Sequence, residues 1–146
     1  MKNILITVIG IVIIGFSCKK DNSSTGHIPL VKTKWILSYI QDTKTNKVIN
    51  YPSVAIKKIS ISFSDSSSIL YFGGVCNGGQ GKYSYSTDDG TIKVSELATT
   101  KIACNYDEWE VYVTNNLDYA YQYKTTDNKL EIDSKGTYNL IFNLTQ

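Results

Sequence analysis

Arginine is missing from this chain and histidine occurs once, and these two gaps remove most familiar site chemistries at the outset. All fifteen basic residues are lysines, so there is no planar guanidinium fork to read carboxylates, phosphates or base edges bidentately. The formal net charge is only +2 and the lysines are scattered, which argues against the clustered basic footprint of a nucleic-acid binder. The single histidine, His27, stands in a polar stretch beside Pro29. No Ser-His-Asp or Cys-His arrangement can be built around it in the rest of the chain. The three cysteines include no C-x-x-C pair, and without a second histidine zinc lacks a ligand set. The expectation is a protein with no catalytic residues, no metal and no cofactor.

Long apolar runs are scarce as well. The one that exists, Ile4 to Phe16 after Lys2, is shorter than the about 20 residues that cross a bilayer and fits the apolar core of a signal peptide. It ends at Ser17-Cys18. This arrangement is similar to a bacterial lipoprotein signal, in which residues 1–17 are removed and Cys18 receives the acyl chains. An ordinary secretory signal and an uncleaved anchor are the alternatives. Each buried methylene contributes about 0.8 kcal/mol, so two or three chains on one cysteine hold durably where one is marginal. Residues 18–32 read as the acylated cysteine and a flexible tether, since Lys19 to Thr25 is polar and has no apolar period. The expected address is the cell envelope, lipid-anchored at the outer membrane, facing the periplasm or the cell surface.

Residues 33–146 remain, enough for one domain with a modest core. Trp35, Leu37 and Tyr39 alternate with polar residues, as do Ile59, Ile61 and Phe63, the period of half-buried strands. Further strands are expected at Val48 to Tyr51, Ser68 to Phe72, Gly81 to Ser86, Thr91 to Leu97, Tyr121 to Thr125, Lys129 to Asp133 and Thr137 to Leu144. Asp88-Asp89-Gly90, Asp127-Asn128 and Ser134-Lys135-Gly136 supply turn chemistry between them. One segment switches to helical spacing: Trp109, Tyr112, Val113, Leu117 and Ala120 follow a capping residue, Asn105. Asp107, Glu108 and Glu110 fall in its first turns, where carboxylates complement the helix dipole. About eight short antiparallel strands with one α-helix predict a mainly β fold, a closed or nearly closed barrel. Eleven tyrosines against four phenylalanines suit strand packing with hydroxyls at the rim.

Cys76 and Cys104 are the thiols of this domain. An even pair in an exported domain reads first as a disulfide, with two buried reduced thiols as the alternative. The glycine run from Gly73 to Lys82 fails as a phosphate loop, because Tyr83 stands where the magnesium-binding hydroxyl belongs and a strand follows instead of a helix. A turn with a β-bulge fits better. Asn77 is suited either to a left-handed backbone or to a hydrogen bond across that turn. Asp65 and Asp88-Asp89 read as solvated turn residues.

Cys76-Asn77-Gly78-Gly79-Gln80-Gly81-Lys82-Tyr83 and Thr100-Lys101-Ile102-Ala103-Cys104 resemble the C-N-x-x-x-G-x-Y and T-x-x-A-C motifs of the META domain family, the HslJ-like heat-shock lipoproteins. Trp35-Ile36-Leu37 resembles the opening W-x-L of that family, Glu110 with Leu117 its helix, and Leu130, Ile132, Leu140 and Phe142 its closing strands. The resemblance implies a lipocalin-like antiparallel β-barrel in membrane-attached or periplasmic proteins linked to heat shock, novobiocin resistance and virulence. It implies no settled activity and no catalytic set.

The leading expectation is therefore a non-enzymatic envelope lipoprotein, stress-related or protein-binding. Gly74, Asn77, Gly78, Gln80 and Tyr83 are its candidate contact residues, since loops on a rigid barrel commonly carry binding. The alternatives are a carrier holding a small apolar ligand in the barrel mouth and an inhibitor of exported peptidases, the latter by fold analogy alone. A barrel of this size either fills with side chains or leaves room for one ligand. Trp35, Phe63, Tyr71, Tyr83, Ile92, Leu130 and Phe142 favour filling.

Overall fold

A computed structural model describes residues 29–55, 57–105 and 107–145. The expected signal peptide, Cys18, most of the tether and His27 lie outside them. The domain reaches past residue 33 towards the N-terminus. Leu30 is buried in the core, its carbonyl accepts the Trp35 indole N–H (3.3 Å), and Val31 bridges to Phe63.

The elements run β1 (Lys34–Asp42), β2 (Val48–Asn50), β3 (Ser60–Phe63), β4 (Ile69–Gly73), β5 (Gly78–Tyr85), β6 (Ile92–Thr99), α1 (Asp107–Leu117), β7 (Ala120–Thr126), β8 (Lys129–Ser134) and β9 (Tyr138–Leu144). They form one sheet of antiparallel neighbours in the order β6-β5-β4-β3-β1-β9-β8-β7, with β2 added to β1. The sheet curls until its end strands meet at the single bridge Thr91–Gln122, beside a Tyr123 N–H to Gly90 C=O bond (2.8 Å). The barrel is thus pinned at one point and otherwise open along the β6–β7 seam. Gly90 and Asp127 adopt positive φ in the turns that precede β6 and β8, as turn residues of these types tolerate.

Side chains fill the barrel. Trp35, Phe63, Phe142, Ile40, Ile61, Leu70, Leu130 and Leu140 are fully buried in one continuous core. Two positions depart from the simple alternation. A register shift between Leu37 and Tyr39, opposite β9, inserts Ser38, and this bulge turns Ile40 inward in place of Tyr39. In β4 the inward pair is Leu70 and Phe72, so Tyr71 points to solvent. At the mouth, Phe63, Tyr83, Tyr85 and Tyr123 form a chain of ring contacts at 4.9, 5.9 and 6.0 Å. The Tyr83 hydroxyl donates to the Ser64 carbonyl (2.6 Å).

Helix α1 spans eleven residues and seals the other end, directing Trp109, Val113 and Leu117 into the core. Ala120, expected to continue the helical stripe, is instead the first residue of β7 and buried there. Trp109 meets Tyr51 and Tyr112 edge-on, and Tyr112 meets Tyr138, so tyrosines serve packing at both ends.

Candidate functional site

The two motifs either side of β5 and β6 meet at the N-terminal end of α1. Cys76 and Cys104 form a disulfide with Cα atoms 6.4 Å apart, which ties the turn before β5 to the segment that enters the helix. Beneath it lies Glu110, only 5 % exposed. Its Oε1 accepts the successive backbone N–H groups of Cys76 (2.7 Å) and Asn77 (3.1 Å), and its Oε2 accepts the Asn77 side-chain amide (2.6 Å). A buried carboxylate needs donors of this kind to offset its lost hydration.

Asn77, 9 % exposed, uses every bonding capacity of its amide. Oδ1 accepts from the Ile102 N–H (2.7 Å) and the Thr100 hydroxyl (2.9 Å). Nδ2 donates to the Ile102 carbonyl (2.9 Å) and to Glu110. Thr100 N–H donates to the Gly78 carbonyl (3.0 Å), the last backbone rung between these segments. The Asn77 side chain then supplies one further rung, bonding both backbone groups of Ile102 as a strand would. Of the two roles the sequence allowed Asn77, the cross-turn bond is realised; its backbone is not among the positive-φ residues.

Gly74 completes the turn. Its N–H donates to the Asn77 carbonyl (2.6 Å), and a Cβ there would overlap the Glu110 carboxylate and crowd the Asn77 carbonyl oxygen at 2.9 Å. Gly74→Ala is expected to lower stability by about 1–3 kcal/mol, the usual cost of overpacking a filled site. Gly78→Ala, whose added Cβ meets only the Phe72 carbonyl oxygen at 3.8 Å, is the control. Urea unfolding that ranks both alike would contradict this packing account.

The candidate contact residues therefore divide. Gly78, Gln80 and Tyr83 lie in β5, which begins three residues before the expected Gly81. Tyr83 is 6 % exposed and faces the barrel interior, because the run from Gly78 alternates like any strand. Asn77 is buried in the staple, and Gly74 carries no side chain. The expected loop is a strand and a locked turn, on which Gly78 and Gln80 stay exposed. The expected bulge is present one strand over: β6 places two residues, Glu96 and Leu97, opposite Gly81, with Glu96 at positive φ.

Two contributors were missed from sequence. Glu110 was read as a dipole-complementing acid, although its spacing to Val113 and Leu117 puts it on the buried face of the helix. Asn116, also buried, accepts the Tyr138 N–H (2.9 Å) and donates to the Tyr112 carbonyl (2.7 Å). Gly136 lets the β8–β9 turn approach the Asn116 amide. Helix α1 is thus fastened at both ends.

What stays accessible is a cleft of about 480 Å3 between α1 and the stretch from Leu97 to Ala103, with Phe72 of the core at its floor. Ile102 and Val111 line it while 60 % and 53 % exposed. Asp107 and Asp118 also line it, and burial pushes the Asp118 carboxyl above the usual carboxylate range. Within the barrel mouth, burial likewise raises the Tyr83 and Tyr123 hydroxyls.

A curled antiparallel barrel, sealed by a helix and stapled by a disulfide, defines a small β-barrel module whose motif residues bind one another. The META domain profile matches residues 29–146, and the chain belongs to the META domain family. A protein from Burkholderia xenovorans solved by NMR is similar in fold, with TM-score 0.66 and 20% identity over 80% of this chain and 84% of that one. So is a DUF4847 family protein from Bacteroides vulgatus, with TM-score 0.58 and 14% identity over 78% of this chain and 93% of that one. No curated protein matches the chain.

Proposed function

We propose that this META domain protein is a non-enzymatic module, held at the cell envelope by acyl chains on Cys18, that binds a protein partner in stress-related envelope maintenance. One observation carries the reading. The polar and sulfur-bearing groups of both motifs bond to one another, while the adjoining cleft keeps Ile102 and Val111 in solvent. Exposed apolar side chains grouped around a cleft mark interaction sites more often than singly scattered ones do. The filled core and aromatic mouth favour an outer surface over a ligand carried inside.

Two measurements test it. Intact mass of the protein from its host membrane is expected to show a chain beginning at acylated Cys18. A full-length, unacylated chain would remove the anchor. A photo-crosslinking residue at Val111, in the full chain in host membranes, is expected to capture one defined protein, and Ile102→Asp is expected to abolish that capture. Unchanged capture in Ile102→Asp would place the contact elsewhere.

A further inference from the structure

The cleft is bounded on one side by a strand edge with which no backbone pairs among the described residues. Beyond the Thr91–Gln122 bridge, the ladder partner of β6 is β5. Thr100 N–H is bonded to Gly78, and both backbone groups of Ile102 are bonded to Asn77. Since antiparallel backbone groups alternate in direction, Thr99 and Lys101 turn their N–H and C=O groups the other way, into the cleft. Helix α1 stands across from them and offers side chains, whose own backbone bonds are used within the helix. Unpaired edge groups of this kind are a template for another strand.

We infer that the cleft of the proposed partner-binding module takes an extended polypeptide segment bearing lysine or arginine, which adds as a short strand to the Thr99–Lys101 edge. The inference rests on the protein-binding reading above and specifies its mode. Three observations fix the occupant. Four outward backbone groups on alternate residues are matched by another backbone in extended form, and main-chain bonding with side-chain pockets is the established physics of strand addition. The cleft volume, about 480 Å3, falls within the range of sites that enclose a ligand, which suits a segment of a few residues. Asp107 and Asp118 line it against Lys101, so a cationic side chain is complementary, and its charge would counteract the desolvation that raises the Asp118 carboxyl. The bulge at Glu96, with the Lys82–Glu96 ion pair (2.8 Å), disrupts regular pairing earlier along β6 and confines addition to the last residues. The staple then has a consequence for recognition: Asn77, Glu110 and the disulfide hold the Thr99–Ile102 edge straight where a loop would otherwise collapse.

The test uses a phage-displayed library of random twelve-residue peptides, selected on the immobilised full chain, with the enriched peptides then titrated against variants. Thr99→Pro is the decisive one. It deletes an N–H that faces the cleft, and proline is tolerated on an edge strand at such positions. Its thermal melt is checked alongside. Enriched peptides with alternating apolar residues and at least one lysine or arginine, binding at least tenfold more weakly to Thr99→Pro and about threefold more weakly to Asp118→Asn, are the expected result. Equal binding to Thr99→Pro, or no enrichment, overturns strand addition. Self-association in sedimentation that Thr99→Pro abolishes also overturns it, since the occupant would be a second copy of the chain. If the Val111 crosslink persists in Thr99→Pro, strand addition fails while the protein-binding reading stands. If that crosslink is absent from the unmodified edge, the reading itself fails.

Discussion

Glu110→Ala is expected to destabilise the domain by about 3–5 kcal/mol, from one buried and one part-buried backbone N–H left unpaired at about 1–3 kcal/mol each and a cavity beneath the turn. The donors concerned are those of Cys76 and Asn77, while the Asn77 amide keeps Ile102 as an acceptor. Glu110→Gln separates shape from charge. Its oxygen can still accept both N–H groups, but its amide N–H2 then faces the Asn77 amide, donor against donor. A loss of about 1.5–3 kcal/mol is expected for it, since one bond to the carboxylate is forfeited and the others weaken. Urea unfolding with the disulfide intact measures both. A loss below about 1 kcal/mol for alanine would mean that water replaces the carboxylate without cost, and that the turn is not held from below.

Removing the disulfide by Cys76→Ser with Cys104→Ser has the next largest expected effect, about 3.6 kcal/mol at most for a closed loop of this length. The two cysteines are 28 residues apart, and the stabilisation comes chiefly from denying the unfolded chain that loop. A domain with about 5–15 kcal/mol in total would be left marginal. The two perturbations converge on one turn, so they should not add. With the staple gone the Cys76–Asn77 backbone is freer to leave Glu110, and Glu110→Ala in that background is expected to cost at least 1 kcal/mol less than in the intact protein. Full additivity in the double-mutant cycle would mean that the bridge and the carboxylate act independently, against the geometry of the site.

Much of the barrel was legible because strands leave a period-2 trace. Leu140 and Phe142 face inward in β9 as the alternation demands. Ile141, on the opposite face with Asn139 and Asn143, is buried as well, because β9 is flanked on both sides and Tyr39 and Glu131 lie beside it in register. Periodicity names a face but not what crowds it. The same limit explains Tyr39, whose inward phase was reversed by one inserted residue, Ser38. A bulge depends on the partner strand, and no local pattern in β1 announces it.

The site was less legible than the fold. A disulfide was the first expectation for an even cysteine pair in a domain read as exported, with two reduced thiols as the alternative, and the motifs were visible as motifs. Their meaning was not, because glycine and asparagine in a turn ordinarily indicate an exposed loop. Asn77 is instead covered by a helix that begins thirty residues later. Glu110 shows the converse, since a carboxylate in a first helical turn has a sufficient local explanation in the dipole. Only the facing N–H groups of Cys76 and Asn77 give it another.

By itself the amino-acid sequence determined the class of structure, the alternation of polar and apolar residues along the strands, the helix and the available thiols. These depend on periodicity and composition, which are local or additive properties of a chain. Tertiary structure decided that Cys76 meets Cys104, that Glu110 is buried under Asn77, that the glycine run becomes a strand, and that no described backbone pairs with the Thr99–Lys101 edge. Each of those depends on which distant segment arrives alongside, and the curl of the sheet and the crossing of α1 settle that together.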